Sequence, residues 1–462
     1  MDPAIRAIAY ARKHRERFVD ELGELIAFPS VSSDARRAGD LRSCAAWLAD
    51  HLARLGLTDV NLWPASGHPL VWGRRHVSAG APTLLVYGHY DVQPEGARAA
   101  WHTPPFRGTV RGSNLHGRGA SDDKGQAFAH IKALESYLAT GELPINVSVL
   151  LDGEEEIGSP GLVRGLMRGD FPIMADAIVI SDTRIPAPDR PALTYSLRGN
   201  LQLELEISGP ARDLHSGYFG GSAPNPLEYL GGLIARLHAP DGRVALDGFY
   251  DRVRGIPSQE RAYMAARGPS DAAIVRAQGS PPAHRNRDYS LYERTTALPS
   301  LTVTRITTDG NAGRATIPSR AVAWIDIRLV PEQDAKAIAQ SFRDRVAALQ
   351  PDGLRAAVRP LSATPWVALD RRGPIQAAAA AAYRRGFGST PVFLRSGGSI
   401  GVVAAFQRTL RVPIVLMGFG LPGDGAHGPN EKFHLPNFFR GIETSIWFMR
   451  NLATAALAGK QG

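Results

Sequence analysis

A single cysteine, Cys44, stands in a chain of 462 residues, so no disulfide can form within it and a reducing compartment is expected. Long apolar runs are missing too. No stretch approaches the ~18 consecutive apolar residues of a membrane span. The N-terminal "MDPAIRAIAYARKHRERFVDELGELIAF" carries charges every few residues and lacks the apolar core of a signal peptide. These absences exclude a helical membrane protein and predict a cytoplasmic location. The net charge is +9 and the isoelectric point about 9.8. Yet there is no run of five or more basic residues and no basic stripe interleaved with aromatics. The excess is scattered arginine on a solvated surface, which argues against nucleic-acid and membrane partners. No internal repeat or low-complexity tract is present.

What is there suffices for two cores: hydrophobic residues make up 44% and charged residues 21% of a chain too long for one domain. Residues 5–27 and 41–56 have the three- and four-residue apolar spacing of amphipathic helices. "TLLVYGHYD", "INVSVLLDGEEE", "MADAIVISDT" and "RVPIVLMGFG" read as buried strands. "SDDKGQAFAHIKALESYLATGE" reads as a helix from Asp123 to Gly141. Strands alternating with helices predict a mostly parallel α/β sheet. The middle changes character. "NLQLELEISG", "LTVTRITTDG" and "RAVAWIDIRLV" alternate apolar and polar residues, the pattern of half-exposed antiparallel strands. With the helices "NPLEYLGGLIARLHA" and "EQDAKAIAQSFRDRVAALQ" they predict an α+β domain over 198–375, inserted into an α/β domain formed by 1–197 and 376–462. Residues 242–298 show weak periodicity and are not placed. The apolar face of "NPLEYLGGLIARLHA" has no evident partner within the chain and predicts a dimer contact.

In an open α/β sheet, ligands bind beyond the carboxyl ends of the strands. His89 and Asp91 follow the first of these strands; Asp122 and Asp123 open a helix; Glu154, Glu155 and Glu156 follow the next strand; Asp182 and His427 follow the last two. Each has an ordinary explanation. One of Asp122 and Asp123 is fully accounted for as a helix cap, a triple glutamate is commonly a solvated turn, and a lone histidine in a Gly/Pro loop commonly has no role. Their shared position, in five segments at four strand ends and one helix start, favours a site. Desolvated carboxylates in that number repel one another unless cations intervene. Imidazole and carboxylate donors without thiolate suit zinc, manganese or cobalt. His102, His116 and His434 lack such placement and are assigned to structure.

The stretches "YGHYDVQP", "LHGRGASDDKGQ", "DGEEEIGSPG", "VISDT", "DLHSGYFGG" and "GDGAHGPNEKF" together resemble the motif set of the dinuclear-zinc metallopeptidases. That family includes carnosinase, cytosolic nonspecific dipeptidase, carboxypeptidase G and aminoacylase. The resemblance spans nearly the whole chain, from "FPSVSS" past His427. "LRGNLQLELE", "DIRLVP" and "RSGGSIGVVAAFQ" are most similar to its dipeptidase branch. It implies two divalent ions per subunit, zinc with manganese or cobalt as alternatives. His89, Asp182 and a bridging Asp122 would hold one; Glu156, His427 and Asp122 the other. Asp91 would orient His89 from behind. The resemblance also implies a cis peptide between Asp122 and Asp123. Glu155 would be the general base, although the run "EEE" leaves a one-residue shift to Glu154 open.

The implied reaction is hydrolysis of the amide bond of dipeptides, or of small peptides with a free C-terminal carboxylate. Two metals sharing a water lower its pKa and yield a hydroxide, with Glu155 moving the proton. His215 would meet the oxyanion from the partner subunit of a homodimer built through the inserted lid domain. Arg328 and Ser399 would receive the substrate carboxylate. An N-acyl-amino-acid deacylase using the same ions is the alternative.

Overall fold

The computed structural model describes residues 2–64, 67–283, 288–308, 315–349 and 353–459. The last residues of "LTVTRITTDG" and Gln350 of the helix before 351 lie outside them. The chain forms two compact units: residues 1–195, 369–394 and 400–462 in one, 196–368 and 395–399 in the other.

The first unit is built on a mixed sheet. Its order is Thr58–Trp63, Leu70–Arg75, Asn146–Asp152, Thr83–His89, Ala177–Ile180, Ile414–Met417 and Ala192–Leu197. The four central strands are mutually parallel, while the flanking strands pair antiparallel. The central strands are buried along their length. This explains why their sequences are continuous apolar runs rather than alternating ones.

Helix Lys124–Thr140 packs against Pro3–Lys13 and Leu435–Gly459. Every residue from Lys124 to Tyr137 is buried, so the helix is enclosed on all sides. Gly88 lets the Thr83–His89 strand approach the start of this helix; a Cβ there would stand 2.5 Å from that of Ala127. Gly141 ends the helix with φ 79°, which glycine takes without strain. The helix expected over residues 5–27 is two, Pro3–Lys13 and Arg15–Ile26, broken at His14, whose ring bonds back to the Tyr10 carbonyl. Among the described residues, no helix is long and apolar enough to cross a membrane.

The second unit holds a four-stranded antiparallel sheet, ordered Ser300–Thr308, Arg320–Leu329, Gly199–Ser208, Arg355–Thr364. Strand Gly199–Ser208 alternates buried leucines with more exposed polar residues, as half-covered strands do. Helices Pro226–Ala235 and Ala335–Leu349 cover one face. The expectation of an unpartnered apolar face on "NPLEYLGGLIARLHA" is corrected here. Leu230 and Leu233 are fully buried among Leu203, Leu205 and Ile325 of the sheet's core. Period-3.6 patterning marked an apolar face but not what it packs on. The unplaced region 242–298 contains helices Ser258–Arg267, Asp271–Gln278 and Leu291–Thr296.

Candidate metal centre

Parallel strands point their carboxyl ends to one edge, and the first unit uses that edge. His89 ends its strand opposite Asp152 of the neighbouring one. Glu155 and Glu156 lie in a short 3₁₀ turn just beyond Asp152. Asp182 follows Ala177–Ile180, and His427 sits in the loop after Ile414–Met417 with a left-handed φ of 64°. Two groups of ligand atoms result, each within 4.8 Å of one another: His89, Asp122 and Asp182, and Asp122, Glu156 and His427. Asp122 belongs to both. Its Oδ1 is 3.2 Å from His89 Nε2 and its Oδ2 is 3.0 Å from His427 Nε2. His427 Nε2 is also 3.2 Å from Glu156 Oε2.

The surroundings aim these groups. The Asp122–Asp123 peptide is cis, as the resemblance implies. Asp123 lies under the strand end, its Oδ2 accepting from the His89 amide at 3.3 Å. Asp91 has two tasks. Its Oδ1 and Oδ2 accept the Glu155 and Glu156 amides at 3.1 and 3.0 Å, fixing the acidic turn. The ring Nδ1 of His89 lies 3.0 Å from the Asp91 carbonyl and 3.3 Å from Oδ1. Glu154 faces elsewhere. It is buried, and its oxygens accept the His68 amide at 3.0 Å and the Gly161 amide at 2.7 Å.

Electrostatics follow from packing acids together out of water. Burial, then the charge of Asp122, pushes Asp182 up to about 8. Burial likewise drives Glu155 well above the usual range, with Asp182, Glu156 and Asp91 adding and His89 opposing. Burial alone would raise Asp122, but hydrogen bonds from His427 and His89 outweigh it and hold it well below the ordinary carboxylate range. Hydrogen bonds to Asp122 and Glu156 raise His427 to about 10. Were all these carboxyls ionised, their charge would exceed what two imidazolium rings neutralise, which is why Asp182 and Glu155 are pushed up. The cluster's nitrogen and oxygen donors are of the kind that hold divalent cations. Cys44, the one thiol, is buried on helix Ala38–Arg54.

A third group with ligand-like spacing, Glu21, His51 and Glu135, differs. The Lys132 ammonium sits inside it, 2.8 Å from His51 Nε2 and 2.7 Å from Glu135 Oε2, and paired with Glu21.

The remaining expected residues belong to the second unit. Arg328 is held by Asp326, Nε to Oδ1 at 2.8 Å, and its Nη1 is 3.4 Å from Ser399 Oγ. Ser399 Oγ donates to the Arg198 carbonyl at 2.6 Å. His215 is exposed on the short strand Leu214–His215, its Nδ1 accepting the Gly217 amide at 3.0 Å. That bond leaves the proton on Nε2. His116 and His434 lie on a small three-stranded sheet and belong to neither ligand group. Two residues escaped the sequence reading. Gln93 donates to Glu156 Oε2 at 2.8 Å, and Glu431 is buried beneath Asp122. Gln93 lies within "YGHYDVQP", two residues past Asp91. Glu431 left no local signal, because it bonds residues about 310 positions earlier.

Known proteins share this arrangement of chain. A model of Peptidase family M20/M25/M40 matches residues 85–451. The Cys-Gly metallodipeptidase DUG1 of Candida albicans is 31% identical over 453 residues, covering 93% of this chain and 93% of its own. The human Beta-Ala-His dipeptidase is 29% identical over 474 residues, covering 97% of this chain and 92% of its own. The solved structure of the di-peptidase Dug1p from Saccharomyces cerevisiae aligns with a TM-score of 0.88 at 26% identity, over 98% of this chain and 99% of that one. A matched region this long, with the strand-end histidines and carboxylates inside it, makes the chain a member of Peptidase family M20/M25/M40.

Proposed function

We propose that this chain is a metal-dependent dipeptidase. It would hydrolyse the amide bond of dipeptides and of other small peptides ending in a free carboxylate. The observation that carries the reading is the sharing of Asp122 by two groups of nitrogen and oxygen donors. His89, Asp122 and Asp182 would hold one divalent cation, and Asp122, Glu156 and His427 a second. Zinc is the first choice, manganese or cobalt the alternatives. Bound there, the pair would supply a Lewis acid that makes water nucleophilic near neutral pH. Glu155 takes the proton of the attacking water on its carboxylate and passes it to the leaving amine nitrogen. Its backbone amide is fixed by Asp91, so the carboxylate starts from a set position. Glu154 is a poor candidate for this role, because both its oxygens already cap backbone amides.

The second unit supplies the binding groups in this reading. Arg328, oriented by Asp326, receives the substrate carboxylate, and Ser399 joins it by turning its hydroxyl away from the Arg198 carbonyl. His215 presents an Nε2–H donor, the form needed to meet a developing oxyanion. We assign it to the active site of a partner copy in a homodimer formed through this unit. Sedimentation as a monomer at assay concentration would remove that assignment. The relatives named above act on Cys-Gly and Beta-Ala-His, so those two dipeptides head the test panel. They would be assayed against N-acetyl and N-succinyl amino acids with zinc, manganese and cobalt. Turnover of dipeptides supports the proposal. Turnover of the acyl amino acids alone would make the chain a deacylase instead.

A further inference from the structure

Asp122 is the shared member of both ligand groups, yet it stands at the end of a loop without regular structure, residues 117–123. Such a loop has no hydrogen-bond ladder of its own, so something else must fix it. Its amides converge on one side chain. Glu431 is fully buried. Its Oε2 accepts from Arg118 Nη1 at 2.8 Å and the Gly119 amide at 2.9 Å. Its Oε1 accepts from the Ser121 amide at 2.9 Å and the Asp122 amide at 3.1 Å. A carboxylate offers about four lone-pair sites, and all are used. The Glu431 carbonyl adds a further bond, from the Gly117 amide at 3.0 Å.

The other end of this brace is the loop bearing His427. Arg118, also buried, donates from Nη2 to the Gly428 carbonyl at 2.9 Å and to the Pro94 carbonyl at 3.2 Å. His427 and Asn430 both take left-handed backbone, φ 64° and 61°, which for non-glycine residues persists only where the surroundings enforce it. The Asn430 side chain holds the His102 amide and the Ala100 carbonyl, so this loop too is fixed by side chains. One buried pair therefore joins the loop of Asp122 to the loop of His427.

We infer that Glu431, acting with Arg118, is a positioning residue that sets Asp122 against His427 and so controls the Asp122–Glu156–His427 cation site. This rests on the two-cation reading above. Because His427 belongs to that group alone, losing the brace affects this site more than the one at His89 and Asp182. The test is a stepwise cobalt titration of chelated protein, followed by visible absorption, with zinc competition to give affinities. Wild type is expected to bind in two steps, and the step lost in His427→Gln, a residue of the Asp122–Glu156–His427 group alone, is taken as the second. Glu431→Gln keeps the shape but replaces one acceptor oxygen with an amide that can only donate. It is expected to weaken the second step by about 10- to 100-fold, the usual effect of losing a partner behind a metal ligand, with the first step changed much less. A merely structural role would lower the melting temperature and leave both steps within twofold of wild type; that result overturns the inference. If Glu431→Gln does not fold, Arg118→Lys decides. It keeps the charge but loses the forked reach to Gly428, and it must weaken the second step; two unchanged steps there overturn the inference equally. Failure of wild type itself to bind two ions would instead overturn the two-cation reading.

Discussion

Two clusters in the first unit are each assembled from one imidazole and two carboxylates and behave in opposite ways. At one, His51 lies with Glu21 and Glu135; at the other, His427 lies with Asp122 and Glu156. His51 is pushed down to about 3, by burial first and then by Lys132. His427 is pushed up to about 10 by its hydrogen bonds to Asp122 and Glu156. The difference lies in the countercharge. The first cluster encloses the Lys132 ammonium, so its carboxylates are already answered and its imidazole stays neutral. At the second, among the described residues, no lysine or arginine pairs with Asp122, Glu156 or Asp182. Ligand-like spacing is thus shared by a finished ion-pair network and by a cluster that no lysine or arginine among the described residues answers. What separates them is whether the chain supplies its own cation.

The sharpest way to break this comparison is to remove the group that only a working cation site needs. Glu155→Gln is expected to reduce turnover of a dipeptide by at least ~10²–10⁴-fold, the usual worth of a positioned general base. Metal content, measured by atomic absorption, should stay at the wild-type value. Glu156→Gln should instead lose metal, since Glu156 belongs to a ligand group. Glu154→Ala is expected to keep turnover and lower stability, because it removes two amide acceptors. An inactive Glu154→Ala beside an active Glu155→Gln would shift the base by one residue.

The next effect is on stability. Lys132 is fully buried, and although Arg17 also pairs with Glu21 and Glu135, removing the buried ammonium leaves those carboxylates under-compensated, a loss of up to ~3–5 kcal/mol. Lys132→Met is expected to show that loss in urea unfolding. Its kcat per folded chain should stay near wild type, because Lys132 lies two turns along the helix from the Asp122 loop. A variant as stable as wild type would mean that Lys132 is not the countercharge the comparison requires.

The contrast also marks how far the sequence could be read. The strand-end residues were legible because buried apolar runs have no ordinary use for a terminal histidine or acid. The parallel core follows from the same runs, and the antiparallel middle from alternation in "NLQLELEIS". Three features were not legible. Helix Pro226–Ala235 has an apolar face whether or not the sheet covers it, and periodicity does not name the partner. The break at His14 comes from local bonding that a smooth amphipathic pattern conceals. Lys132 and Glu431 look like ordinary surface charges in the sequence; only the folded chain brings Glu21 and the Asp122 loop to them.

The smallest expected effect separates the clusters by pH. His51 has a folded pKa of about 3 against an ordinary 6.5, so between these values the unfolded chain binds its proton more readily. Its contribution is present above pH 6.5 and is lost as pH falls toward 3. His427 has the opposite sign. Its folded pKa of about 10 means the folded, chelated protein holds the proton more tightly, so its contribution is full below 6.5 and is lost as pH rises through 10. The His427 side chain is 58% exposed, so solvent and salt screen this limb and it is the weaker of the two. Melting temperature against pH, with chelator present, reads both limbs. His51→Gln should flatten part of the acid limb, and His427→Gln the alkaline one. Saturating zinc should also abolish the alkaline limb, because a ligating imidazole is already neutral; it should add an acid dependence of its own, as protons compete for His89 and His427, while the difference between wild type and His51→Gln persists. If zinc removed that difference instead, the Glu21–His51–Glu135 cluster would be taking up cations despite Lys132, and the distinction between the clusters would fail.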